Sequence, residues 1–482
     1  MRIGYVSSEI TPYASTGGLA DVAGALPNVV ARKGHEVWRA MPMYRCVLEG
    51  SFKLVDLGLK LNIPVGFHSR AAEVWSTENK NPATYFIRRD EFFDRSQLYS
   101  LPNRDYDDNF ERFVFFQKAV VAMIDALSLK PQIVHGNDWQ AGLVPLFLEH
   151  GIQGIGRGRK EKTIFTIHNL AYQGLFSGNE FSVTNLPFSS FQLETMEFYG
   201  NINCMKNGIT SSDVVTTVSK TYASDIQTEK SGCGLHGVLT KVRDKVIGIV
   251  NGIDDRVWNP AADPYLTAPY SAVNPSGKKA CRKDLLARMN LTVKPGAPVI
   301  GMISRLVDQK GFDILAAAMP ELMKRDLAIV LLGTGEEKHH ERCNAWARTW
   351  PGKFACKLAF DTELSHKIEA GADLFLMPSR FEPCGLNQMY SLRYGTVPVV
   401  HATGGLEDTV EDMEASGAAG TGFKFRSYTA QSLVDAVDRA LALYRCPQVW
   451  QQVVVRAMQQ DFSWNHAAEE YLQLYASLVS SV

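Results

Sequence analysis

The sequence lacks any cysteine pattern that would tie the chain together. Its eight cysteines contain no C-x-x-C pair, and none stands at zinc-finger spacing from a histidine. This absence disfavours both a disulfide-rich secreted domain and a structural zinc site. We therefore expect reduced thiols, mostly buried, in a reducing compartment.

Long hydrophobic runs and an excess of one charge are also lacking. No stretch of 18 apolar residues occurs, and Met1 leads into an apolar strand pattern at 3–6 without a secretory leader. We expect a cytoplasmic protein, or a stromal one if this is a mature plant-type chain. The 50 Lys and Arg residues balance 51 Asp and Glu, so no bulk field favours a nucleic acid or a membrane as partner.

What the sequence does contain is a repeated alternation of short apolar strands and helices. The 482 residues, 45% of them hydrophobic, suit two large globular domains. One α/β series has strand patterns at 3–6, 36–42, 132–135, 162–167 and 213–218, with helices at 21–33 and 139–150. A second series has strands at 298–303, 327–332, 374–378 and 397–400, with helices at 313–322 and 386–394. We predict two doubly wound domains, 1–250 and 251–460, followed by a terminal helical segment, 461–482.

Ligands of open α/β sheets bind beyond the carboxyl ends of the strands, so the loops after strands are the candidate sites. In the first domain, Gly17 and Gly18 lie between a strand and a helix, where backbone N–H groups can approach an anion. Asp21 is equally explained as a helix cap. The dinucleotide pattern G-x-G-x-x-G is absent here.

Two further loops of the first domain carry polar residues. His168 ends a strand, where it can donate a hydrogen bond, offer its carbonyl to a positive charge, or serve only the structure. Asp138 can cap the helix that follows it, and Trp139 can be a hydrophobic platform or part of the core.

In the second domain, Arg305 and Lys310 follow the first strand and suit a pyrophosphate group, or they are ordinary solvated charges. Glu382 stands in the loop between a strand and a helix, either near a ligand or free in solvent. Cys384 lies beside that helix start, where its thiol pKa can fall, although no histidine neighbours it in the sequence.

Taken together, a set of segments resembles the bacterial glycogen synthases and plant starch synthases. The matches follow one another in order over nearly the whole chain. They are S-S-E-I-x-P-x-x-x-T-G-G-L-A-D-V at 7–22, G-A-L-P at 24–27, D-x-x-D-N-x-x-R-F at 105–113, H-x-N-D-W-Q at 135–140, T-I-H-N at 166–169, V-N-G-I-D at 250–254, W-N-P at 258–260, S-R-L-x-x-Q-K-G at 304–311, P-S-R-F-E-P-C-G-L at 378–386 and T-G-G-L-x-D-T-V at 403–410.

The resemblance implies a GT-B fold, in which two Rossmann-like doubly wound domains face a central cleft and the final helix returns to the first domain. It also implies transfer of glucose from a nucleotide sugar, usually ADP-glucose, to the non-reducing end of an α-1,4-glucan or maltooligosaccharide. The configuration is retained, through a covalent carboxylate intermediate or through the front-face return that is favoured for the family. Neither a metal nor another cofactor is expected.

The resemblance further implies roles for individual positions. The expected catalytic residues are Glu382, His168 and Asp138. The expected donor-binding residues are Arg305, Lys310, Cys384, Gly385, Leu386, Asn251, Gly18, Asp21, Ser15, Thr16 and Phe360, the last stacking on adenine. The expected acceptor-side residues are Trp139, Gln140, Asn169 and Tyr172.

One position departs from the family pattern. The first motif usually reads K-x-G-G-L, whereas this chain has Ser15 in place of the lysine. A serine can form a hydrogen bond but carries no charge for the donor phosphates. Two alternatives follow: a GT-B transferase that uses UDP-glucose or another acceptor, and a glucan-binding regulatory protein with a weakened site.

Overall fold

The computed structural model describes residues 1–101, 104–154, 157–413 and 419–480. The chain forms two compact units. Unit 1 comprises Met1–Val218, Ala223–Ile249 and Trp464–Val482, and unit 2 comprises Ser219–Tyr222 and Val250–Ser463. The sequence placed the boundaries after residues 250 and 460, and the structure divides the chain after 249 and 463. Residues 481 and 482 of the predicted terminal segment lie outside the described residues.

Most strands of unit 1 are short, and most of those in its main sheet are buried. They are β1 (Arg2–Val6), β2 (Glu36–Pro42), β3 (Leu54–Val65), β4 (His68–Thr77), β5 (Ala83–Arg88), β6 (Ser100–Leu101), β7 (Arg104–Asp105), β8 (Ile133–Asn137), β9 (Lys162–Ile167), β10 (Leu175–Ser177), β11 (Glu197–Phe198), β12 (Asn201–Asn203), β13 (Val214–Thr217) and β14 (Val246–Gly248).

Within the described residues, nine of these strands form one sheet in the order β14-β13-β9-β8-β1-β2-β5-β4-β3. The strands from β14 to β5 pair in parallel, and β1, β8 and β9 are almost wholly buried, as strands covered by helices on both faces must be. The pairs β5/β4 and β4/β3 are antiparallel. This hairpin extension was not predicted, because β3 is largely exposed and lacks a buried apolar run.

Eight helices precede Val250 among the described residues. They are α1 (Gly18–Arg32), α2 (Arg45–Leu48), α3 (Asp90–Phe93), α4 (Asn109–Ala126), α5 (Val144–His150), α6 (Cys204–Ser211), α7 (Lys220–Asp225) and α8 (His236–Lys241). The helix predicted at 139–150 is divided into a 3-10 turn, Trp139–Ala141, and α5. A smaller antiparallel sheet has the order β10-β12-β11.

Unit 2 is built from the second predicted series. Its elements are α9 (Lys278–Arg288), β15 (Val299–Ile303), α10 (Phe312–Leu322), β16 (Ala328–Leu332), α11 (Glu337–Thr349), β17 (Phe354–Lys357), α12 (Thr362–Gly371), β18 (Leu374–Met377), α13 (Asn387–Arg393), β19 (Val397–His401), α14 (Gly404–Thr409), β20 (Phe423–Phe425), α15 (Ala430–Tyr444) and α16 (Pro447–Met458). In the part of the chain that the structure describes, its sheet has six parallel strands in the order β17-β16-β15-β18-β19-β20.

The last helix, α17 (Trp464–Ser480), belongs to unit 1 although it follows unit 2 in the chain. It buries Trp464, Tyr471 and Tyr475 against apolar residues of α1, among them Leu26 and Val30. The hydroxyl of Tyr475 lies 2.7 Å from the hydroxyl of Tyr5 in β1 and 2.9 Å from Nδ1 of His135 in β8. The helix is therefore joined to the two central strands of unit 1 by buried hydrogen bonds.

All eight cysteines are free, as expected from the sequence. Only four of them are buried, so the expectation of mostly buried thiols is wrong for the others. No helix among the described residues is both long and apolar enough to cross a membrane.

Candidate active site

Each unit has a point where the strand order reverses direction, and ligands of such sheets bind there. In unit 2 the reversal lies between β15 and β18, so the loops after these two strands lie side by side. In unit 1 it lies between β1 and β8. These four loops carry most of the residues that the sequence singled out.

In unit 2 the two loops bring Lys310 and Glu382 together. The Nζ of Lys310 donates to Oε2 of Glu382 at 2.6 Å, and the hydroxyl of Ser379 donates to the same oxygen at 2.9 Å. Both carboxylate and ammonium group are largely shielded from solvent. The reading of Glu382 as a plain loop carboxylate in solvent is therefore wrong.

Backbone contacts fix the relative position of these two loops. The N–H of Arg380 donates to the carbonyl of Gln309 at 2.8 Å, and the Gln309 side chain donates to the carbonyl of Phe381. Gly311 adopts a φ of +79°, and a Cβ at this position would lie 1.9 Å from the Pro378 carbonyl oxygen. Only glycine fits there, so Gly311 is what allows the lysine loop to approach the glutamate loop.

The other expected donor residues of unit 2 lie around the same loops. Arg305 is exposed, and its guanidinium has no hydrogen-bond or ion-pair partner among the described residues. Gly385 has a φ of +73° and precedes Leu386, the residue that caps α13. Asn251 is buried, and within the described structure its Oδ1 has no hydrogen-bond partner. A buried acceptor without a donor is unusual and suits a ligand hydroxyl.

Two further residues of unit 2, Cys384 and Phe360, were expected to bind the donor. Cys384 is not an activated thiol: burial raises its pKa to about 12, and the nearby carboxylates of Glu382 and Asp408 act in the same direction. The predicted fall in its pKa is therefore wrong. Phe360, expected to stack on adenine, lies in the loop between β17 and α12 with 89% of its surface exposed.

In unit 1, His168 and Asp138 form one buried assembly after β9 and β8. The backbone N–H of His168 donates to Oδ1 of Asp138 at 2.7 Å, and Nε2 of His168 lies 2.9 Å from Oδ1 of Asn137. Burial lowers the pKa of His168 to about 3, so its imidazole is neutral. A neutral imidazole next to an amide oxygen acts as a hydrogen-bond donor through Nε2.

Asp138 differs from the cap that the sequence allowed. Its carboxylate makes no capping bond to the 3-10 turn that follows, because it accepts from the backbone of His168 instead. Burial raises its pKa to about 7, opposed by these backbone hydrogen bonds. Its φ of +54° is rare for a non-glycine residue, and strained backbone of this kind is concentrated at functional sites.

The loop after β1 contains a buried carboxylate that the sequence analysis did not single out. Glu9 accepts hydrogen bonds from the backbone N–H of Thr16, from the Thr16 hydroxyl at 2.7 Å, and from the Tyr99 hydroxyl at 2.6 Å. Glu9 thus holds the glycine-rich loop, whose Ser15 is exposed. Its position directly after a buried strand in S-S-E-I was the available signal.

The helix that begins at this loop starts earlier than predicted. Gly17 is the cap of α1 and Gly18 is its first residue, so Asp21 is not the cap. Asp21 instead accepts a hydrogen bond from the Thr11 hydroxyl, and burial raises the pKa of its carboxyl.

The four acceptor-side candidates divide into two groups. Trp139 packs into the core of unit 1, with its ring 5.0 Å from that of Phe113, and Gln140 is buried. Of the two alternatives for Trp139, a hydrophobic platform for a ligand or part of the core, the structure favours the core. Asn169 bonds to the backbone N–H of Ala171, and Tyr172 is exposed.

The described residues contain one group that could hold a metal ion, formed by Asp308, Glu336 and His339. Lys338 already bonds both carboxylates of this group, at 2.7 and 2.8 Å. The ammonium group supplies the positive charge that the carboxylates need.

Two family models match the two units. The model described as the starch synthase catalytic domain matches residues 2–241, and that described as glycosyl transferases group 1 matches residues 287–452. The fold and the two family models therefore define a nucleotide-sugar glycosyltransferase with two Rossmann-like domains, as expected for the GT-B class.

Relatives that match over the full length of the chain are glycogen synthases and a starch synthase. The chain is 46% identical to a glycogen synthase of Anaeromyxobacter sp. over 100% of both chains, and 42% identical to glycogen synthase 2 of Geobacter sulfurreducens over 98% of both. The solved catalytic domain of starch synthase IV from Arabidopsis thaliana, bound to ADP and acarbose, matches with 32% identity, a TM-score of 0.91 and 99% coverage of each chain. The chain belongs to the glycogen synthase and starch synthase family.

Proposed function

We propose that the protein transfers glucose from ADP-glucose to the non-reducing end of an α-1,4-glucan, with retention of configuration. The observation that carries this proposal is the Lys310–Glu382–Ser379 cluster at the reversal point of unit 2. The catalytic domain of starch synthase IV, which matches this chain over 99% of each, was solved with ADP and acarbose, and this supports an adenine nucleotide and a glucan as ligands.

The leaving group of this reaction is a nucleoside diphosphate, so negative charge develops on phosphate oxygens. The guanidinium of Arg305 has no partner in the part of the chain that the structure describes, and Lys310 lies within the same pair of loops. We propose that both bind the diphosphate, and that no metal ion is needed because these cations stabilise the departing charge. Gly385 and Leu386 add backbone N–H groups where α13 begins.

The opposite partner in the transition state is an oxocarbenium-like sugar. Glu382 carries a carboxylate held by Lys310 and Ser379, and we propose that it binds the donor sugar and faces this positive charge. His168 is neutral and donates its one ring N–H to Asn137, so we propose that its Nδ1 accepts a hydrogen bond from a sugar hydroxyl without opposing the charge. Asp138 acts through His168 by holding its backbone, which makes it a positioning residue.

An assay with labelled ADP-glucose and UDP-glucose, each with glycogen and with maltooligosaccharides, tests the proposal. We expect incorporation mainly from ADP-glucose, lost by a factor of roughly 100 or more in Glu382→Ala with the fold unchanged. Preference for UDP-glucose would support the alternative donor. Glucan binding without transfer from either donor would support a regulatory protein.

A cytoplasmic location is part of the proposal and is supported by the eight free thiols.

A further inference from the structure

Asn137 is a buried polar residue in contact with the imidazole ring of His168. It is the last residue of β8, directly before Asp138, and only 2% of its surface is exposed. Burying an amide costs free energy unless its nitrogen and its oxygen both find partners. The partners of Asn137 therefore show which end of the amide faces which group.

The nitrogen of this amide faces the backbone of the two central strands of unit 1. Nδ2 donates to the carbonyl of Val6 in β1 at 3.2 Å and to the carbonyl of His135 in β8 at 3.4 Å. Carbonyl oxygens only accept hydrogen bonds, so a reversed amide would place its own oxygen against two further acceptors. The two strands therefore fix the orientation of the Asn137 amide.

The oxygen of the amide faces His168. Oδ1 of Asn137 lies 2.9 Å from Nε2 of His168. An amide oxygen has no proton to donate, so Nε2 must carry the proton of this hydrogen bond. Burial lowers the pKa of His168, so its ring is neutral and has a single N–H. The other ring nitrogen, Nδ1, is therefore an acceptor.

The acceptor nitrogen of His168 is available to a ligand. Within the described residues no donor is hydrogen-bonded to Nδ1, and His168 keeps 8% of its surface exposed. A ring nitrogen with a free lone pair accepts a hydrogen bond from a hydroxyl group. With the proton on Nδ1 instead, the ring would present a donor at the same place.

The neutrality of Asn137 matters as much as its oxygen. A carboxylate at this position would also accept from Nε2, but its negative charge would favour the doubly protonated ring. Both ring nitrogens would then be donors, and a positive ring would lie where the proposed reaction develops positive charge on the sugar. An amide oxygen fixes the ring proton without adding a charge.

Asn137 and Asp138 hold different parts of His168. Asp138 accepts from the backbone N–H at 2.7 Å, whereas Asn137 accepts from the ring. Asn207 shows the purely structural use of a buried asparagine in the same unit. Its Nδ2 donates to the carbonyl of Gly142 at 2.7 Å, and its Oδ1 accepts from the hydroxyl of Ser211 at 3.1 Å. Two consecutive residues thus constrain the main chain and the side chain of His168.

We propose that Asn137 is a positioning residue of the transfer reaction: its amide oxygen keeps the ring proton of His168 on Nε2 and so directs the lone pair of Nδ1 toward a hydroxyl of the donor sugar. The inference rests on the proposed function and adds the residue that decides which ring nitrogen meets the substrate. Without this oxygen the proton can occupy either nitrogen, and only one of the two tautomers suits the sugar.

The first measurement is the tautomer of His168. Nitrogen NMR spectra of enzyme with isotope-labelled histidine, recorded without substrate, distinguish protonated from unprotonated ring nitrogens. The signals of His168 are those that disappear in His168→Gln. We expect wild type to carry the proton on Nε2 between about pH 6 and 8. Asn137→Leu keeps the volume of the side chain but has no oxygen, so it should show both tautomers.

Two results of these spectra would overturn the proposal. One is a wild-type enzyme with the proton on Nδ1, a result that requires no substitution of Asn137. The other is an unchanged His168 spectrum in Asn137→Leu.

The second measurement is kinetic. In Asn137→Leu, kcat should fall roughly fivefold to tenfold, the size expected when one hydrogen bond to the reacting sugar is lost. The KM for glycogen should stay within about twofold of wild type. Asn207→Leu is the matched control: it should lower the melting temperature but keep the His168 tautomer and kcat.

An equal fall of kcat in the two variants would contradict the positioning role, and so would an effect confined to the KM for glycogen. If wild type transfers glucose from neither donor, the proposed function is refuted. The spectra are recorded without substrate, so they still decide whether Asn137 sets the tautomer.

Discussion

At the scale of single residues, Ser15 stands where the resemblance noted in the sequence implies a lysine. It is exposed in a loop that Glu9 holds through Thr16, so a longer side chain has room. We expect Ser15→Lys to lower the KM for ADP-glucose by roughly threefold to tenfold, because a charged hydrogen bond contributes about 1.5–3 kcal/mol before solvent screening. Ser15→Gln, which is long but neutral, is the control. An unchanged or higher donor KM in Ser15→Lys would contradict the expectation.

Asp138 makes the stability of unit 1 depend on pH. Its pKa is 3.8 in an unfolded chain and about 7 in the folded one, so the folded state binds more protons between these values. The free energy of unfolding contributed by this group therefore falls as pH rises from about 4 to 7. Asp138→Asn keeps an oxygen that can accept from His168 but removes the titration. Urea unfolding at several pH values should show a smaller decline in the variant, and an equal decline would refute the assignment.

At the scale of elements, the close approach of the loop after β15 to the loop after β18 depends on Gly311. Gly311 and Gly296 have nearly equal φ values, +79° and +78°, but only at Gly311 would a Cβ collide with another residue. Gly296→Ala should lower the free energy of unfolding by about 1 kcal/mol through backbone strain alone. Gly311→Ala should lower it by roughly 3 kcal/mol or more and also reduce kcat, since Lys310 is displaced from Glu382. Equal losses of stability in the two variants would show that the close approach to Pro378 does not matter.

The elements also show which parts of the structure the sequence could predict. The buried parallel strands were recognisable because they are uninterrupted apolar runs that end in polar loops, and the order of loops then located Lys310 and Glu382. The hairpin of β3 and β4 was missed because one of its faces is open to solvent. Asp138 was misread because its partner, His168, is distant in sequence. Cys384 was misread because its thiol pKa is raised mainly by burial, which its neighbours in the sequence do not reveal. A local pattern gives no information on burial by distant segments.

At the scale of the whole molecule, α17 contributes to unit 1 through Tyr475. Its hydroxyl bonds both to Tyr5 and to His135, and all three groups are buried. Tyr475→Phe leaves two buried polar groups without this partner, so we expect the free energy of unfolding to fall by about 1–3 kcal/mol. A double-mutant cycle with Tyr5→Phe should show coupling of about 0.5 kcal/mol or more. Strictly additive losses in urea unfolding would show that the two hydroxyls do not interact.

The position of α17 also imposes an order on the synthesis of the chain. The ribosome releases residues 1–249 first, then the bulk of unit 2, and only then the helix that covers Leu26 and Val30 of α1. Throughout translation of unit 2, this apolar face of the nascent chain has no cover of its own. A chain stalled before residue 464 therefore presents a hydrophobic face suited to a chaperone, and unit 1 reaches its final packing only after unit 2 has emerged.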